Sequence, residues 1–155
     1  MWLAAAVEGG WTSLEELRQL PFTVVTDARG INLLEHAKVA AEGAEVLARI
    51  RMRSMAAFPS IDLDVLIAGA LLHDVNKAAV FERDGNGAFR RKAGPYEVAP
   101  AVRLARDSGL PGKLVDLIAY ESGMREDPPN VETILVHHAD MPTFAAMDFL
   151  NRRQL

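Results

Sequence analysis

The chain has 155 residues, half of them hydrophobic and a quarter charged, with a net charge of −4 and no cysteine. That length suits a single domain over residues 1–155 with a sizeable core. Lack of cysteine excludes disulfides, zinc–thiolate sites, iron–sulfur clusters and cysteine nucleophiles, and it is compatible with a cytoplasmic location. The acidic balance does not favour a nucleic-acid partner, which would call for a basic surplus.

The N-terminal "MWLAAAVEGGW" is apolar but has no basic region, so it reads as a short helix or ordered arm rather than a signal peptide. No apolar run reaches the ~18–20 residues of a membrane span. Ser13-Leu14-Glu15-Glu16 is a capping box that predicts a short helix to about Leu20, closed by Pro21. These two pieces make up an arm over residues 1–25, ahead of a core over about 31–150. "PFTVV" is too brief to classify.

A long helix is predicted from near Ile31, with Leu33, Ala37, Ala40, Ala44 and Leu47 at helical spacing and Phe58-Pro59 as its last possible end. Ser60 is a candidate cap for the next helix, with Asp62 and Asp64 in its first turn. This helix runs through Leu63, Leu66, Ile67 and Ala70, is apolar nearly all round, and reads as the central buried one. It drives straight into His73-Asp74. "VFERDGNGAFRRK" predicts a small β-hairpin over about Val80–Lys92, turning at Asp84-Gly85-Asn86-Gly87. That turn faintly resembles a calcium loop, but Ala88 stands where a third oxygen ligand belongs. Further helices are predicted over about Tyr96–Asp107, from Pro111 to about Ser122, and from an Asn130 cap onward. The fold class is therefore all-α: a bundle of about six or seven helices with one small hairpin.

The chain has four histidines, His36, His73, His137 and His138, each in a mostly apolar helical stretch. A lone histidine on an apolar helix is more often a satisfied core residue than a ligand. Separate helices that each bring His or Asp out of an apolar face are harder to explain that way, because burying such groups unpaired is costly. Imidazoles with carboxylates suit a divalent transition metal. His137 lies one turn before Asp140 and could share its face.

The order His36, then His73-Asp74, then Asp140 resembles the HD-domain superfamily of metal-dependent phosphohydrolases. "LLEHAKVAAEGAEVLA" resembles its first ligand helix. "LIAGALLHDVNKA" resembles the HD signature, with Lys77 three residues after the aspartate and Asn76 where many members have glycine. "GLPGKLVDLIAYESG" and "ILVHHADMPTFAA" resemble the later helices. The resemblance spans about Asn32 to Met147. It implies His36, His73, Asp74 and Asp140 as ligands of one divalent ion (Mn, Co, Ni, Fe, Zn or Mg). It also implies attack of a metal-activated water on a phosphoester, with Lys77 stabilising the phosphate charge.

Members with two metals carry extra histidines in the middle helices, where this chain has Tyr96-Glu97 and Tyr120-Glu121. One ion is therefore expected, with Glu97 or Glu121 as a water-mediated ligand or general base. His137 is expected to face the site, and His138 to pack or face solvent. Arg90, Arg91, Lys92, Arg103 and Arg106 are candidates for an anion pocket, with Tyr96 or Phe81 as candidates to stack on a base. Glu82, near in sequence, is expected on the hairpin. The expected function is a phosphomonoesterase or phosphodiesterase acting on a small phosphorylated metabolite, plausibly a nucleotide. The alternatives are a catalytically weak metal-binding module that senses or scaffolds, and a non-hydrolytic redox-metal enzyme. The Trp-bearing arm is apolar enough to cover a second copy, so a homodimer is expected.

Overall fold

The computed structural model describes residues 1–93 and 99–153. Among them are eight helical segments and one two-stranded hairpin, the all-α architecture with a single hairpin that the sequence predicts. The helices are α1 (Trp2–Gly9), α2 (Leu14–Gln19), α3 (Leu33–Ser54), α4 (Leu63–Leu72), α5 (Asn76–Val80), α6 (Ala99–Asp107), α7 (Gly112–Glu121) and α8 (Val131–Arg152). β1 (Phe81–Arg83) pairs antiparallel with β2 (Phe89–Arg91), Glu82 opposite Arg90.

α3, α4 and α8 pack on one another and form the central trio, with α7 against α4 and α8. The starts of α3, α4 and α8 are each fixed by a side-chain cap. The Asn32 side chain accepts from Glu35 N, and the Glu35 carboxylate accepts in return from Asn32 N, setting the first turn of α3 just before His36. The cap of α4 is Asp62, not Ser60; its Oδ1 accepts from Val65 N. Asp62 N also donates to the buried Glu132 carboxylate at 2.8 Å, tying the start of α4 to that of α8. Asn130 caps α8 as the sequence indicates.

Two apolar clusters make the core. One gathers Phe22, Leu33, Val75, Phe81 and Ile118 with the N-terminal arm; the other gathers Ala41, Leu66, Ala70, Leu117 and Leu135. In chain order His36 falls between Leu33 of the first cluster and Ala41 of the second. His73-Asp74 falls between Ala70 of the second and Val75 of the first. The polar groups thus occupy the seam between two greasy regions. At the same level Gly69 lets α7 approach α4: a Cβ there would lie 2.5 Å from Leu117 Cδ1.

One further reading of the sequence is revised. α4 stops at Leu72, so His73 and Asp74 lie in the turn before α5 rather than inside a continuous helix. Part of the arm packs on its own chain: Ala5 and Ala6 are buried, Trp2 Nε1 donates to Leu71 O, and Trp11 Nε1 donates to Ala78 O at 2.6 Å, while Leu3 and Val7 stay exposed. The hairpin turn stands as expected: Asp84 Oδ1 accepts from the N–H groups of Asn86 and Ala88. The predicted start of α6 at about Tyr96, and Glu97 with it, lies outside the described residues.

Candidate metal centre

His36 projects from the first turns of α3, His73 and Asp74 from the turn after α4, and Asp140 from the middle of α8. One ligand atom from each lies within 4.8 Å of all the others. His36 Nε2 is 2.7 Å from Asp140 Oδ1 and 3.5 Å from Asp74 Oδ2. His73 Nε2 is 3.3 Å from Asp74 Oδ2 and 3.4 Å from Asp140 Oδ1. All four expected ligands therefore converge. Pro142 sits inside α8 two residues beyond Asp140, where it withholds a helix hydrogen bond from the His138 carbonyl.

His73 shows why this cluster suits a cation. Its Nδ1 is 2.6 Å from the carbonyl of Ala70. A carbonyl only accepts, so Nδ1 carries the proton and Nε2 presents a lone pair. That lone pair faces two carboxylates and, among the described residues, has no hydrogen-bond partner. Acceptors facing acceptors in a buried place are repulsive unless a proton or a metal ion sits among them. A backbone carbonyl that fixes the tautomer of a ligating histidine is the usual support of such a ligand. Two imidazole nitrogens with two carboxylate oxygens form the donor set of a divalent transition metal, so the residues fit the group.

The electrostatics agree. Burial opposes protonation of His73, but Asp74 and Asp140 outweigh it and raise its pKa well above the usual histidine range. Burial likewise opposes ionisation of Asp74, yet His73 and Lys77 hold its carboxyl at about 2. Asp140, despite burial, is kept far below the ordinary carboxylate range by the His36 and His73 imidazoles beside it. The carboxylates thus remain ionised.

A cavity of about 330 Å³ opens over these groups, lined also by Phe22, Asn76, Lys77, Glu121, His137 and Phe144. Lys77 reaches it, but its ammonium already donates to Asp74 Oδ2 at 2.6 Å and to Phe22 O at 2.8 Å. Glu121, at the end of α7, is 5 % exposed in its side chain; its Oε2 lies 3.4 Å from His137 Nδ1 and its Oε1 has no partner among the described residues. Burial pushes its carboxyl upward. His137 is half-buried beside Tyr120, and His138 is exposed.

The basic cluster does not converge on this cavity. Arg90 pairs with Glu82 on the hairpin, Lys92 holds the carbonyls of Gly9 and Ala79, and Arg103 pairs with Glu8 and Asp107. Arg91 lines a neighbouring cavity, and Arg106 is exposed on α6. Phe81 is core, at 4 % exposure. Tyr96 and Glu97 lie outside the described residues.

Sequence reasoning passed over Phe22, whose carbonyl holds Lys77 and whose ring lies 4.8 Å from that of His36. The one signal was the unclassified "PFTVV" after a helix-closing proline. Asn76 stood out only as a departure from glycine; it is buried and lines the cavity.

Comparison with curated proteins and with solved structures finds no match. A family model described as the HD domain matches residues 30–141, a span that begins just before His36 and closes just after Asp140. With that match over most of its length and the four ligand residues gathered in space, the chain belongs to the HD domain family.

Proposed function

We propose that the chain is a metal-dependent phosphohydrolase that takes a small phosphorylated metabolite, with His36, His73, Asp74 and Asp140 holding one divalent ion. The observation that carries the reading is the buried His73 Nε2 set against two ionised carboxylates that line an open cavity. When bound, a divalent ion there lowers the pKa of a coordinated water and polarises the phosphoryl group.

The other roles belong to the chain's own groups. Lys77 keeps Asp74 ionised and oriented, and its third N–H remains to meet a phosphate oxygen at the cavity wall. Glu121 lines the cavity, burial pushes its carboxyl upward, and it is the group placed to give a proton to a departing alkoxide. His137 fixes the Glu121 carboxyl through Oε2, so Oε1 is the oxygen left to act. One metal centre is favoured, since no histidine stands between His73 and His137.

A second reading, a metal-binding module with little hydrolytic activity, draws on one feature. Among the described residues lining the cavity Lys77 is the sole cation, and two of its donors are already engaged.

A phosphatase screen with added manganese, cobalt or nickel separates them. Phosphate release that His73→Ala and Asp74→Ala abolish is expected. Release indifferent to both substitutions contradicts the hydrolase, and tight metal binding with a silent screen favours the second reading.

A further inference from the structure

The cavity over the ligands does not end at Lys77. A second cavity of about 260 Å³ shares Lys77 and Phe144 with it as a common wall. Beyond that wall its lining turns apolar: Val24, Val25, Val80 and Phe81, with Thr23 and Arg91. Its near wall is anchored. Phe22 and Thr23 are buried, Phe22 O holds Lys77, and Pro21 bridges to Asn32. Farther along, Asn151 Nδ2 donates to Thr26 Oγ1 and to Asp27 O, pinning that loop to the end of α8. The walls are therefore set before any ligand arrives, which lowers the cost of binding.

Resting on the hydrolase reading above, we infer that this second cavity takes the alcohol side of the phosphoester, and that this part of the substrate is an apolar ring system rather than a small polyol. Three observations support this. The two cavities meet at the lysine beside the ligand cluster, so a phosphate over the cluster directs its ester oxygen toward one of the walls around it. The far lining is mostly apolar, with Val24, Val25, Val80 and Phe81 beside Thr23 and Arg91, so it rewards apolar surface more than a row of hydroxyls. The volume also exceeds the roughly 150 Å³ that houses one benzene ring in an apolar cavity, so a fused bicycle fits. Binding energy gained there, away from the reacting bond, orients the ester over the ligand cluster.

The test compares kcat/KM of the metal-loaded protein on 1-naphthyl and phenyl phosphate, whose leaving alcohols have similar acidity. Direct binding of 1-naphthylphosphonate and methylphosphonate is measured by calorimetry alongside. The naphthyl ester is expected to be preferred about tenfold, the reward for burying its extra ring. Val24→Ser with Val80→Ser, both half-buried, should cut that preference by about the same factor and weaken naphthylphosphonate in parallel while circular dichroism still reports a folded protein. Equal rates on the two esters, or a preference that survives the double variant, overturn the apolar subsite and leave hydrolysis standing. No turnover of either ester, with naphthylphosphonate binding that the double variant weakens, overturns the hydrolase and supports the subsite. No selective binding of naphthylphosphonate overturns the subsite in either case.

Discussion

At His73 the two ring nitrogens meet opposite surroundings. Nδ1 gives its proton to a carbonyl, and Nε2 looks into two carboxylates. Without metal, a proton has to fill that gap, which is why the pKa of His73 is raised despite full burial. A group whose folded pKa is raised contributes stability that is complete below its unfolded value, about 6.5, and is lost as pH rises through the folded value. Metal-stripped protein should therefore melt at lower temperature as pH rises above about 6.5 and through that raised value, and a flat profile contradicts that assignment. The ion competes with the same proton, so metal loading should strengthen with pH and release protons, measurable by titration calorimetry in buffers of different ionisation enthalpy. Glu121 offers a second prediction at this scale. As the acid it must stay protonated, so rate should fall as pH rises through its raised pKa. Glu121→Gln should lower kcat by about 10²–10⁴-fold and remove that limb while metal content holds. Loss of metal in this variant would show that Glu121 is a ligand instead.

The helices act as rulers that bring three chain segments to one point. Gly69 sets the spacing of α4 and α7 one turn before His73, because any Cβ there meets the Leu117 side chain. Gly69→Ala should cost about 1–3 kcal/mol by overpacking. Leu117→Val in the same chain should return part of that, since the two sites are in contact, and a double-mutant cycle by thermal melts measures the coupling. Strict additivity would contradict the packing account. At this scale the sequence was most legible where local chemistry decides. Ser13 and Asn130 cap as expected, and the hairpin and the α7 and α8 helices fall where their breaks put them. It was least legible where distant groups decide. No Gly or Pro marks the end of α4 at Leu72. Nothing near Phe22 announces a carbonyl aimed at Lys77, and Arg90, Lys92 and Arg103 look like an anion pocket until partners from other elements claim them. The four ligands were legible because buried His and Asp must be explained by something, and their order in the chain narrowed what that could be.

For the whole molecule, the two apolar clusters meet along a seam held by charged groups, and a bound ion joins both halves. An ion that binds only the folded chain should stabilise it by about 2.7 kcal/mol at a concentration one hundred times its Kd. For a chain of this size that is a rise in melting temperature of roughly 5–11 °C. Among the described residues no helix is long and apolar enough to cross a membrane. The central claim, that one divalent ion is held by His36, His73, Asp74 and Asp140, is tested most directly by elemental analysis of protein purified without chelator, alongside His36→Ala, His73→Ala and Asp140→Ala. About one divalent ion per chain, lost in each variant while circular dichroism still reports a folded helical protein, is the predicted result. A metal-free parent, two ions per chain, or variants that keep their metal would contradict it.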